Sequence, residues 1–103
     1  MSDKKVYSIF DVVTKSYMTP FYVAVEGQAF RIFTDIVNNP EKNTDISRNP
    51  GQFALFYLGE FDDQTGKFSS GTPEEKLMGH QVVAEEEKYS IQELIKIINE
   101  KIK

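Results

Sequence analysis

The sequence predicts an α+β domain: an antiparallel sheet of about four to five strands, with a central helix and a C-terminal helix packed on it. Three observations carry this. Segments 5–13, 21–25 and 52–61 are rich in β-branched and aromatic residues and alternate or run apolar in the manner of strands. Residues 27–38 place apolar side chains at helical spacing. Residues 90–102 open on a helix-start signal and carry one apolar stripe.

In order along the chain, "KVYSIFDVV" (5–13) alternates, with Val6, Ser8, Phe10 and Val12 on one side and Tyr7, Ile9, Asp11 and Val13 on the other. "TKSYMTP" breaks the pattern. "FYVAV" (21–25) follows Pro20 as a second short strand. A helix is expected from about Gly27 to Asn38 on Ala29, Ile32, Phe33, Ile36 and Val37, ending at "NNP". Residues 39–52 read as a polar loop. "QFALFYLGEF" (52–61) is apolar at nearly every position, which suits a central strand covered on both faces. Segment 71–80 is expected to hold a helical turn, and "QVVAEE" (81–86) a further strand. At the end, Ser90 and Glu93 form a capping box, Tyr89 and Leu94 a hydrophobic staple, and Ile91, Leu94, Ile95, Ile98 and Ile102 a single stripe.

At 103 residues the chain is read as one domain, 1–103, large enough for a core without staples. It has no cysteine, which removes disulfide frameworks, thiolate nucleophiles and thiolate metal sites together. The start "MSDKKVYSIFDVV" is too interrupted for a leader or a membrane span, so a soluble intracellular protein is expected. The formal net charge of −4 is unevenly spread: residues 60–87 hold eight carboxylates against two lysines, and the remainder is mildly basic.

The densest group of reactive side chains is "LGEFDDQTGKF" (58–68). A type I turn starting at Asp63, with Gly66 left-handed at its end, accounts for the acids as a three-residue hairpin. Adjacent Asp62 and Asp63 point to opposite faces of a strand, and no calcium-type ligand series follows Gly66. His80 is the only histidine, and "GTPEEKLMG" lacks phosphate-loop spacing. No catalytic residue, metal site or cofactor is expected, and the chain is read as a non-enzyme.

Five tyrosines and eight phenylalanines remain, with no tryptophan. In the first half they interleave with lysines and arginines, a pattern that suits single-stranded nucleic acid because bases stack on rings while cations track phosphates. The rival reading assigns most of these rings to the core.

"VYSIFDVVTKSYMTPFY", "AFRIFTDIVNNP" and "NPGQFALFYLGEFDDQTGKF" follow one another in an order and spacing that resemble the small nonstructural protein of gokushoviruses, microviruses with single-stranded DNA genomes. The resemblance runs from about Val6 to Gly79. Its most telling pieces are "SIFD", "PF", Arg31 and Phe33 followed by "VN", and "LFYLGEFDDQTG". It implies a phage replication accessory in the host cytoplasm, called DNA-binding by analogy with the microvirus protein that turns duplex replication toward single-strand synthesis for packaging.

The expected DNA contacts are Lys4, Lys5, Lys15, Arg31 and Arg48 for phosphates, chosen because they lie outside the acidic span. Tyr7, Tyr17 and Tyr22 are the expected stacking rings, since a phenol keeps its tip wet while offering a ring face. Arg31 has a competing partner in Asp35, one helical turn on. Expected partners are single-stranded DNA, phage or host replication proteins and a second copy of the chain, with no membrane. The alternative is a protein-interaction module that regulates a replication or capsid protein through its acidic hairpin and apolar helix without touching DNA.

Overall fold

A computed structural model describes residues 3–39 and 44–83. The elements are β1 (Asp3–Asp11), β2 (Ser16–Tyr17), β3 (Phe21–Val23), α1 (Glu26–Asn38), α2 (Thr44–Arg48), β4 (Phe53–Asp62) and β5 (Lys67–Met78). Short 3-10 turns cover Pro50–Gln52 and Gly79–Val82. All pairings are antiparallel. β1 takes both short strands on one edge and β4 on the other, and β5 lies outside β4. Bulges at Val6/Tyr7, Leu55/Phe56 and Tyr57/Gly59 bend the long strands and curl the sheet.

Alternation decides which side of the sheet each residue serves. Tyr7 and Ile9 of β1, Val23 of β3, and Phe53 and Leu55 of β4 form the core with Ala29, Phe33 and Val37 of α1 and Ile46 of α2. The helix residues fall at i, i+4 and i+8, one stripe along α1. Gln28 holds the start of α1, its Oε1 accepting the N–H groups of Ala24 (2.9 Å) and Val25 (3.4 Å). At the other end Asn38 Nδ2 donates to the Thr34 carbonyl (2.8 Å) and to that of Val82 (2.9 Å), tying α1 to the turn after β5.

The expected sheet and central helix are present, and the central strand falls on 53–62 between β1 and β5. Several boundaries differ. β1 stops at Asp11, and Val12 and Val13 are exposed in a turn because the Asp11 side chain caps it. β3 ends at Val23. The polar loop holds α2, whose Ile46 is buried. The helical turn expected within 71–80 is strand through Met78, because pairing with β4 outweighs the local preference; helical geometry begins at Gly79 and includes Gln81 and Val82, which were expected to be strand. The expected helix at 90–102 lies outside the described residues.

The β4–β5 hairpin starts one residue earlier than expected. Asp62 rather than Asp63 organises it: its Oδ1 accepts the N–H groups of Gln64 (2.9 Å) and Thr65 (3.3 Å), and its carbonyl accepts the Gly66 N–H (2.7 Å). Gly66 is left-handed at φ 78°. The β1–β2 turn repeats this design. Asp11 Oδ1 accepts from Val13 (2.9 Å) and Thr14 (3.3 Å), and its carbonyl from Lys15 (2.8 Å), which is left-handed at φ 58°. Both turns read Asp-x-x-Thr followed by the left-handed residue, but only one has glycine there. Lys15→Gly is therefore expected to raise stability by about 1 kcal/mol and Gly66→Ala to lower it by about 1 kcal/mol, as read from urea unfolding.

Burial tends to raise the Asp11 carboxyl, but the N–H bonds from Val13 and Thr14 and the contacts with Gln52 and Thr14 outweigh it and hold the group below its ordinary value. A depressed folded value stabilises above the unfolded pKa, and that contribution is lost as pH falls through the folded one. Asp11→Ala should therefore flatten the acid limb of the melting temperature below about pH 4, with little change in shape above it.

Candidate nucleic-acid interface

The sheet face opposite the helices carries the other set of alternating residues. Cross-strand register sets them in rows: Lys4–Phe61–Phe68, Tyr22–Val6–Gly59–Ser70, Ser8–Phe56–Glu75 and Tyr17–Phe10–Ala54–Met78. Six rings rise from this face in two trios. Phe10, Tyr17 and Phe56 have centroids 4.6, 5.4 and 5.5 Å apart. Phe61, Phe68 and Tyr22 lie at 4.8, 5.6 and 6.4 Å. Edge and tilted geometries hold each trio together. Tyr17, Tyr22 and Phe68 are exposed, and none of the six belongs to the core cluster.

Between the trios, Val6 and Ser8 are buried at the floor, and Ser8 Oγ donates to the Met18 carbonyl (2.6 Å). This ties the segment joining β2 to β3 against β1.

Cations lie mostly at the margin. Lys4 stands in a groove of about 520 Å³ with Tyr22, Gln28 and Arg31, where the β3 edge meets α1. Lys4 Nζ is 3.9 Å from Asp63 Oδ2, with both side chains well exposed, a contact too solvated to hold the lysine firmly. Lys15 lies in the β1–β2 turn, two residues before Tyr17.

The opposite face is differently built. Tyr7 is fully buried, and its hydroxyl donates to Glu26 Oε2 (2.9 Å). Burial, then that hydrogen bond and the Glu26 charge, push the phenol far up, so it remains a donor. Tyr7 is thus a core ring and not an accessible stacking platform, a correction that follows from strand parity: it shares its face with Ile9. Lys5, also on this side, lies 3.9 Å from Glu60 Oε2 and 5.9 Å from the Tyr57 ring centroid, with Lys76 on that ring at 5.8 Å. Tyr57 donates to Glu60 (3.2 Å), and burial with the Glu60 charge raises its phenol. Lys76 is raised by its hydrogen bond to Glu74 (2.8 Å) and by Glu26 (3.4 Å). This ionic belt fastens α1 to the sheet. Lys5 is engaged in it, and Arg48 ends α2 on the helical layer, so both expected phosphate contacts lie away from the ring face.

Comparison with known proteins sets these features in a family. The model of the phage ORF5 protein family matches residues 4–84. The chain belongs to the phage ORF5 protein family. The chain is 33% identical over 64 residues to "Protein ORF5" of Chlamydia phage 1, covering 60% of this chain and 67% of that protein. The expected gokushovirus likeness is thereby shown. No solved structure matches. Among the described residues, no helix is long and apolar enough to cross a membrane.

The matched ORF5 region, residues 4–84, contains both trios. Of the eight expected contacts, it brings Lys4, Tyr22 and Arg31 into one groove and puts Tyr17 and Lys15 at the other end of the face. Phe10, Phe56, Phe61 and Phe68 were missed. Favouring phenols over phenyls hid them, although the alternation of 5–13 had already set Phe10 opposite Tyr7.

Proposed function

We propose that this chain is a non-enzymatic single-stranded DNA-binding protein whose site is the ring-bearing face of the sheet. In this reading it acts in the host cytoplasm and assists phage genome replication, at the switch to single-strand synthesis for packaging. The observation that supports it most is the pair of aromatic trios on a face without described helices, flanked by Lys4, Arg31 and Lys15. Unpaired bases can lie on such rings, whereas duplex bases are already stacked on each other. The replication role rests on the resemblance to gokushovirus proteins.

With an acidic chain and three marginal cations, stacking rather than charge should dominate. At about 0.7 per neutralised phosphate, the three give a salt slope of about 2 for a single strand. Fluorescence anisotropy with single-stranded and duplex oligonucleotides across a salt series tests this. Tyr17→Ala and Tyr22→Ala should each cost about 1 to 3 kcal/mol of binding with the slope unchanged. Lys4→Ala should flatten the slope, and Arg48→Ala should do neither. Affinity indifferent to both salt and rings, or no binding at low salt, would contradict the proposal.

One observation favours a second reading. Among the described strands β5 lies at an outer edge, exposed along most of its length and bearing Glu74 and Glu75. Such an edge suits pairing with an extended basic segment of a replication or capsid protein, and absence of DNA binding would bring this reading forward.

A further inference from the structure

We infer that the depression between Tyr22 and Phe68 is a slot for one nucleobase of a single strand, an inference that rests on reading the ring face as the DNA site. Its floor is the row Val6–Gly59, and its volume is about 250 Å³. Gly59 raises no side chain there. Its backbone is at φ 147°, and a Cβ would run into the Ser69 carbonyl of β5, so the floor stays low by the geometry of the bulge.

The walls are spaced for a flat guest. Tyr22 and Phe68 have ring centroids 6.4 Å apart and planes 48° from parallel. With bases repeating every 3.4 Å, a base held between two rings needs about 6.8 Å. Phe68 is 61% exposed and can rotate by the remaining amount. Ser70, which also lines the slot, offers a hydroxyl that can donate to or accept from a base edge. Tyr22 also lines the groove that holds Lys4 and Arg31, so one ring divides a phosphate path from a base site. That juxtaposition sets the spacing of a base and its own backbone across a single side chain.

The test is a cycle between the wall and the base. Wild type and Phe68→Leu are titrated by anisotropy with a ten-nucleotide oligothymidylate and with an abasic oligonucleotide of the same length. Phe68 is exposed, so the leucine variant should keep the wild-type melting curve. The expected result is an approximately tenfold loss of affinity for oligothymidylate and less than about twofold for the abasic strand. Equal losses for both strands would overturn the slot. If Phe68→Leu leaves base-dependent binding intact, the slot fails while the ring face stands as the DNA site, and the depression then fits an apolar side chain of a protein. Failure of wild type to bind either strand at low salt would overturn both readings.

Discussion

Phe33→Ala is expected to lower stability by about 3 to 5 kcal/mol, the range for a fully buried aromatic ring. Phe33 sits at the centre of the α1 stripe, wholly inaccessible, in the cluster that contains Tyr7, Ile9 and Leu55 of the sheet. Little of the lost volume can be refilled, because Ala29 and Val37 on either side are themselves buried. Ile32, its neighbour on the same helix, is exposed, and Ile32→Ala should cost less than about 1 kcal/mol. Urea unfolding followed by circular dichroism measures both, and the midpoint should move with the slope unchanged. Equal effects would mean that α1 does not sit on the sheet through this stripe.

Gly59→Ala should cost about 3 kcal/mol, from backbone strain together with a steric clash. At φ 147° an L side chain is disfavoured, and its Cβ would be driven into the Ser69 carbonyl on the paired strand. Relief would need β5 to move off β4 at the bulge, where Gly59 pairs with Ser70. Gly71, three residues beyond in β5's exposed stretch relative to Phe68, is the control: a Cβ there meets nothing within 4 Å, and its φ is not positive. Gly71→Ala should be neutral or gain slightly by narrowing the unfolded ensemble. Thermal unfolding distinguishes the two, and a mild effect at Gly59 would show that the bulge can relax.

The sequence made strands and α1 legible wherever burial follows a period. The four-residue spacing of buried Ala29, Phe33 and Val37 and the apolar run of β4 each leave one plausible placement. Segment 67–78 was not legible, because "KFSSGTPEEKLM" has glycine, proline and charge where a strand is usually apolar; it is strand because β4 supplies its partners. The turn at Asp62 was read one residue late because both Asp62 and Asp63 can cap, and only the hydrogen-bond pattern separates them. For the site, composition could count rings but not assign them to faces. Parity within β1 separates Tyr7 from Phe10, and parity within β3 separates Phe21 from Tyr22, yet which parity faces the helices depends on where α1 docks. That is a tertiary fact.

The central claim is that the ring-bearing face of the sheet, and not the helical layer, receives a single strand. Its most direct measurement is the change in aromatic ring NMR resonances on titration with an unstructured oligonucleotide. The account predicts shifts and broadening at Tyr17, Tyr22 and Phe68, with Phe33 and Tyr7 unmoved. Shifts confined to the helical side around Ile32 and Arg48, or none at saturating oligonucleotide in low salt, would contradict it.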